Sequence, residues 1–101
     1  MQVRVRSKVK AEVARERDYY EEDLERGSDF VDDFEDVLHR LSYLPHRFPA
    51  TGLGSSELPI HRCLFRRYPF IAYFVVHDDY VEVLAVLHKR SGPSKIAKAV
   101  R

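Results

Sequence analysis

The chain has few of the residues that build covalent or metal-based scaffolds. Its single cysteine, Cys63, excludes a disulfide framework and a multi-cysteine metal cluster. Long apolar runs are also missing: the longest, residues 70–76, has seven residues, whereas a membrane span needs about 20. The first ten residues carry charges where a secretory signal needs an apolar stretch. We therefore expect a cytoplasmic protein without membrane contact.

The composition is that of a folded protein with an uneven charge distribution. Hydrophobic residues make up 45% and charged residues 33% of 101 positions, which excludes a disordered chain and favours a single domain over residues 1–101. The net charge is only +1, yet residues 11–44 carry twelve acids and four bases. Residues 2–10, 61–77 and 88–101 carry bases and no acid. Such clustering indicates charged partners more strongly than the total charge does.

The first half of the chain shows one strand pattern and two helix patterns. Residues 2–9 alternate between valine and charged residues, which predicts a strand. Residues 11–26 place Val13, Tyr20 and Leu24 on one stripe, and residues 29–44 repeat apolar residues at spacings of three and four. We expect Gly27 to end the first helix and Ser28 to cap the second, giving an antiparallel helical hairpin.

The second half predicts strands. Residues 45–59 contain three prolines and a Gly-x-Gly sequence that is typical of a loop. Residues 60–67, 70–77 and 80–88 are strand-like and close together, which favours a meander, and residues 89–101 form a basic C-terminal tail. The predicted fold class is α+β with order β-α-α-β-β-β. The hairpin would cover one face of a mainly antiparallel four-stranded sheet in two layers, leaving a partly apolar open face.

This order of motifs resembles the RelE/ParE superfamily of bacterial type II toxins, the toxic half of toxin–antitoxin modules. The matching residues are Leu41, Leu44-Pro45, Arg62, Tyr68-Pro69-Phe70, Tyr73, Val75, Val83-Leu84, Val86 and His88-Lys89-Arg90. The resemblance implies a RelE-like fold in which the first strand lies beside the last. It also implies a cognate antitoxin as partner, a toxin–antitoxin hetero-oligomer and a role of the plasmid-stabilization kind.

The superfamily offers two activities. RelE-like members cut mRNA in the ribosomal A site, and ParE-like members poison DNA gyrase. Phe70 stands where RelE-like nucleases place an arginine, and the tail after Arg90 has no tyrosine or histidine. His88, Arg90 and Arg66 are the remaining catalytic candidates. We therefore favour a ParE-like gyrase inhibitor that is not an enzyme. A RelE-like ribosome-dependent mRNA endonuclease and an inactive toxin-fold protein that only binds its antitoxin remain alternatives.

The predicted contact residues fall into two groups. Residues expected to contact the target, gyrase or else ribosome and mRNA, are Arg62, Arg66, Arg67, His88, Lys89 and Arg90. Residues expected to bind the antitoxin are Phe30, Phe34, Phe70 and Phe74. We expect no metal and no cofactor. Truncation after Arg90 should spare the fold and reduce toxicity, because the tail is predicted to reach the target.

Overall fold

A computed structural model of the chain describes the backbone of residues 1–101 and every side chain except those of residues 23 and 24. The predicted place of Leu24 on the apolar stripe thus lies outside the described side chains. In chain order the elements are β1 Gln2–Val5, α1 Ser7–Leu24, α2 Gly27–Ser42, β2 Ala50–Gly54, β3 Pro59–Leu64, β4 Phe70–Val76, β5 Tyr80–His88 and α3 Pro93–Ala99. A short 3-10 turn at Pro45–Arg47 follows α2.

The strands form one sheet in the order β1-β5-β4-β3-β2. β1 runs parallel to β5, with Gln2 opposite Tyr80 and Val5 opposite Val83, and the other pairs are antiparallel. The predicted α+β fold, with a helical hairpin and the first strand beside the last, is confirmed.

The prediction of four strands is wrong, because the sheet has five. The additional strand, β2, lies in the segment predicted as a loop. Its pairing includes hydrogen bonds from Arg62 N to Pro49 O at 3.0 Å and from Thr51 Oγ1 to Ile60 O at 2.9 Å. Gly54 has φ +84, and a Cβ there would lie 2.6 Å from the carbonyl oxygen of Leu58. The glycine therefore permits the tight return into β3.

The boundaries of the hairpin differ from those predicted. The first strand ends at Val5 rather than residue 9, because Val9 and Val13 are one helical turn apart and both bury against the core. Glu25, with φ 53, takes the left-handed position at the end of α1, and Arg26 instead of Ser28 precedes α2. Gly27 is needed for close approach, since a Cβ there would lie 2.9 Å from Arg17 O.

The main core lies between the helical hairpin and the sheet. Val9, Phe30, Val37, Leu41 and Phe74 are completely buried there. Burying each large apolar side chain stabilises the fold by about 1.5–3 kcal/mol. These contacts fix the hairpin on one sheet face.

The opposite face of the sheet is partly covered by α3. Ile96, Ala99 and Val100 pack against a second apolar cluster that includes Tyr73 and Leu84. Residues 89–101 are therefore not a free basic tail, and the second face is less open than predicted. No described helix has the length and apolar character needed to cross a membrane.

A bulge in β5 determines which of its residues lie on this second face. Tyr73 lies opposite Ala85, and Phe74 lies opposite Val83, so Leu84 is an extra residue. Leu84 and Ala85 consequently both belong to the cluster under α3, while Val83 and Val86 face the hairpin.

Candidate functional site

Four basic residues come together at one end of the sheet. β3 and β5 both end there, because each runs antiparallel to β4. Lys89 N donates a hydrogen bond to Pro69 O at 2.8 Å, which holds the turn after β5 beside the turn after β3. We call the exposed residues Arg66, Arg67, Lys89 and Arg90 the basic rim. These four residues were predicted from the sequence to contact the target, and the strand topology brings them together.

The turn that carries Arg66 and Arg67 is held by a buried carboxylate, Asp33. Its Oδ1 accepts a hydrogen bond from Arg66 N at 3.2 Å, and its Oδ2 accepts bonds from Arg67 N and Tyr68 N, both at 2.9 Å. Asp33 is only 3% exposed. The sequence alone does not reveal this role, because Asp32, Asp33, Glu35 and Asp36 look alike in a helical pattern.

The rim residues differ in whether their charges are paired within the protein. Arg66 Nε lies 3.4 Å from Asp36 Oδ2, and that same oxygen lies 2.9 Å from Arg40 Nε. Arg67, Lys89 and Arg90 form no ion pair with any described residue. Their charges are available to a polyanion or an acidic protein surface.

His88 lies on the hairpin side of the sheet. Its ring contacts Phe70 with centroids 5.5 Å apart, and its Nδ1 accepts a hydrogen bond from Arg90 N at 3.1 Å. An accepting Nδ1 leaves the proton of the neutral ring on Nε2. His88 borders a groove of about 440 Å³ between α1 and the end of β5.

Arg62 lies on the other face of the sheet. It is exposed and stands opposite Tyr73, at a groove of about 390 Å³ that Ile96 of α3 also lines. Burial raises the pKa of the Tyr73 hydroxyl, and the Arg62 charge partly opposes this rise. Arg62 and His88, both predicted to contact the target, are therefore separated by the sheet.

The four phenylalanines predicted to bind an antitoxin belong to the protein's own core. Phe30 and Phe74 are fully buried, and Phe34 and Phe70 are 7% and 6% exposed. Phe30 and Phe70 pack edge to face at 5.3 Å. Burial leaves Phe30 and Phe74 without exposed ring surface, whereas Phe34 and Phe70 each border a surface groove. Antitoxin binding through these four residues stays a prediction. Among the described side chains, the large apolar ones that are exposed are Met1, Tyr19, Tyr43, Leu44 and Leu64.

His61 and Cys63, whose side chains are of metal-binding types, are both buried. His61 Nδ1 lies 2.8 Å from Phe48 O, and burial raises the pKa of the Cys63 thiol. Across the described side chains, no three His, Cys, Asp or Glu residues are grouped so that they could hold a metal ion.

Comparison with known proteins gives a structural match. No protein-family model matches the chain, and no curated protein matches it. One chain of a solved structure described as the chromosomal ParDE TA system from P. aeruginosa superimposes with a TM-score of 0.72. The match covers 87% of this chain and 95% of that chain, at 18% sequence identity. This chain therefore has the fold of a chain from a ParDE toxin–antitoxin system, as its resemblance to the RelE/ParE superfamily predicted.

Proposed function

We propose that this protein is the toxin of a type II toxin–antitoxin module, of the ParE type, and that it inhibits growth by binding DNA gyrase until a cognate antitoxin neutralises it. The observation that carries the proposal is the fold shared with a ParDE chain over 87% of the sequence. Fold alone does not fix a target, so the argument for gyrase depends on the surface.

The basic rim supports binding to a large anionic partner. Three of its four cations have no ion-pair partner among the described residues, and all four lie at one end of the sheet. A rim of this kind can bind a partner protein that holds DNA or exposes an acidic surface. Clustered exposed charge attracts such a partner and speeds its association.

The arrangement gives little support to RNA cleavage. A metal-free nuclease needs an acid, a base and a charge stabiliser around one phosphate. Here Arg66 lies against Asp36 and Phe70 is buried in the core, so of the candidates only His88 and Arg90 remain near each other. Binding without chemistry is the better account of these positions.

Two assays with the purified protein test the proposal. We expect inhibition of gyrase supercoiling, weakening as salt is added, and no transcript cleavage in a reconstituted translation system. The Lys89→Ala/Arg90→Ala variant should lose most of the inhibition while its stability changes by less than about 0.5 kcal/mol per substitution. Lys98→Ala, which removes an exposed cation of α3 away from the rim, serves as the matched control.

Other outcomes would replace the proposal. Transcripts cut at defined codon positions, with cutting abolished by His88→Ala, would identify a RelE-like nuclease. Absence of both activities, together with binding to the antitoxin, would identify an inactive toxin-fold protein.

A further inference from the structure

A groove on the second face of the sheet lies between strand β3 and helix α3. It measures about 390 Å³, and β2, β3, β4 and α3 all contribute to its wall. Arg62 is the one charged residue among the described side chains of the lining, whereas Leu53, Pro93 and Ile96 give it apolar surface. We call it the β3–α3 groove. None of the four residues of the basic rim lines it, so it is a separate feature of the surface.

Strand register places Arg62 beside Tyr73 in this groove. The two residues stand directly opposite each other in the antiparallel pair of β3 and β4. Residues in such a pair point to the same face of the sheet, with Cβ atoms about 4.5–5.5 Å apart. The Arg62 charge opposes the rise that burial causes in the pKa of Tyr73. The guanidinium and the hydroxyl are therefore neighbours that act on each other through space.

Neither of these polar groups has a partner within the described chain. Arg62 is exposed and forms no ion pair with a described residue. Tyr73 is only 4% exposed, and its hydroxyl forms no hydrogen bond with a described residue. Among the described side chains, Glu12 has the one unpaired oxygen that is sealed from solvent. The Tyr73 hydroxyl consequently opens onto the groove that Tyr73 lines.

The other hydroxyl of the lining, that of Thr51, is already satisfied. Its Oγ1 donates a hydrogen bond to Ile60 O at 2.9 Å and accepts one from Leu53 N at 3.1 Å. Buried polar groups in folded proteins nearly always have such partners. The hydroxyl of Tyr73 departs from this rule, and beside the unpaired Arg62 it leaves two adjacent hydrogen-bond donors for a ligand.

These two donors match one carboxylate. A guanidinium can donate two parallel hydrogen bonds to a carboxylate, and a tyrosine O–H can donate a further one. A phosphate monoester carries about −1.5 to −2 charge, so the single guanidinium would leave part of that charge unpaired against apolar walls. A neutral apolar ligand would cover the Arg62 charge without pairing it, which is costly. A monoanion with an apolar body fits both the donors and the walls.

We propose that the β3–α3 groove binds a carboxylate that carries a short apolar body, with Arg62 and Tyr73 as donors to the carboxylate and Leu53 and Ile96 against the apolar part. A free organic acid and the C-terminal residue of a polypeptide both present this chemistry. The inference rests on the groove alone, and it stands whether or not gyrase is the target.

The test uses small probes and the whole chain. 4-Methylpentanoate represents the free acid, N-acetyl-leucine represents the polypeptide terminus, and the neutral 4-methylpentanamide is the control matched in shape. The two acids should saturably shift the amide resonances of residues 50–53, 62 and 73 in isotope-labelled protein. They should also raise the melting temperature as their concentration increases. The amide should do neither, and whichever acid binds more tightly identifies the source of the carboxylate.

Variants connect the binding to the two donors. Arg62→Gln should weaken binding of the acids roughly tenfold, since it removes the charge-assisted hydrogen bonds. Tyr73→Phe should weaken it roughly threefold, which corresponds to one neutral hydrogen bond. Arg15→Gln removes an exposed cation of α1 outside this groove and should bind like the wild type.

Several results would overturn the proposal. These are failure of both acids to bind, equal binding of acid and amide, unchanged binding by Arg62→Gln, and tighter binding of inorganic phosphate than of either acid. The stability of unliganded Tyr73→Phe gives an independent readout. Its melting temperature should not fall, because the hydroxyl has no internal partner to lose. A clear fall would also overturn the proposal, since the hydroxyl would then already be satisfied within the protein.

Discussion

Asp33 determines the conformation of the β3–β4 turn through three hydrogen bonds to consecutive backbone N–H groups. Alanine at this position leaves all three donors without their acceptor in a partly buried site. We expect Asp33→Ala to lower the free energy of unfolding by about 1–3 kcal/mol, which is the cost of leaving buried polar groups unpaired. Urea denaturation measures this loss.

The neighbouring residue provides the control for that experiment. Asp32 is exposed, and Asp32→Ala should change stability by less than about 0.5 kcal/mol. Equal effects of the two substitutions would show that helix charge, rather than the capped turn, accounts for the role of Asp33.

Glu82 connects the β4–β5 hairpin to the start of α1. Its Oε1 lies 3.0 Å from His77 Nε2, and its Oε2 accepts a hydrogen bond from Arg6 Nε at 3.0 Å. The hydrogen bond with His77 holds the pKa of Glu82 below its ordinary value of 4.5; Arg6 adds to this effect, and partial burial opposes it. The carboxylate form is thus stabilised by folding.

This lowered pKa predicts a pH dependence. Because the folded pKa is below the unfolded one, the contribution of Glu82 to stability is fully present above the unfolded value of 4.5. It is lost as the pH falls through the folded pKa. Glu82→Gln should therefore reduce stability near neutral pH and flatten the decline in stability on the acid side, measured by denaturation at a series of pH values. Glu57→Gln, an exposed turn position, should leave the curve unchanged.

At the scale of elements, α3 packs on the second face of the sheet and belongs to the folded structure. Arg6 Nη1 donates a hydrogen bond to Arg101 O at 2.7 Å, Lys8 Nζ donates one to Ala99 O, and Val100 is 8% exposed. Charged residues from the start of the chain therefore hold the end of α3 on its apolar contacts.

Truncation after Arg90 should destabilise the fold, contrary to the expectation from sequence. Loss of the Val100 contact alone costs about 1.5–3 kcal/mol, and the cluster around Tyr73 and Leu84 would become exposed. Thermal unfolding should show a lower midpoint, and a dye that binds apolar surface should bind more strongly. Lys98→Ala should do neither. An unchanged midpoint after truncation would mean that α3 adds no stability.

The success of sequence reasoning at this scale depended on how strongly each element was patterned. α2 was predicted within two residues at each end, because its apolar residues from Phe30 to Leu41 repeat at helical spacing. β2 was missed because Ala-Thr-Gly-Leu-Gly has little strand propensity, and only pairing with β3 makes it a strand. α3 was interpreted as a tail because the three residues that anchor it, Ile96, Ala99 and Val100, are too few to establish a helical period.

The candidate site was predicted only in part, for a different reason. The rim residues Arg66, Arg67, Lys89 and Arg90 were identified from their charge, which is a local property. Which face of the sheet His88 and Arg62 occupy depends on strand register and on the bulge at Leu84. A shift of one residue exchanges the two faces, and nothing local in the sequence specifies it.

At the scale of the whole molecule, the pairing of β1 with β5 has a consequence for the order in which the protein folds. The paired residues Gln2 of β1 and Tyr80 of β5 are 78 positions apart in the sequence. Closing so long a loop before its contacts form is entropically costly, so non-local pairings of this kind form slowly. The meander of β3, β4 and β5 needs only short connections.

We therefore expect β1 to join the sheet late. Hydrogen-exchange pulse labelling during refolding should protect the amides of β4 and β5 before those of β1. Val3→Ala should raise the unfolding rate more than it slows folding, as expected for contacts that form after the transition state. Simultaneous protection of all the strands would contradict this order. During synthesis the sheet consequently stays incomplete until β5 has left the ribosome, because β5 is the strand with which β1 pairs.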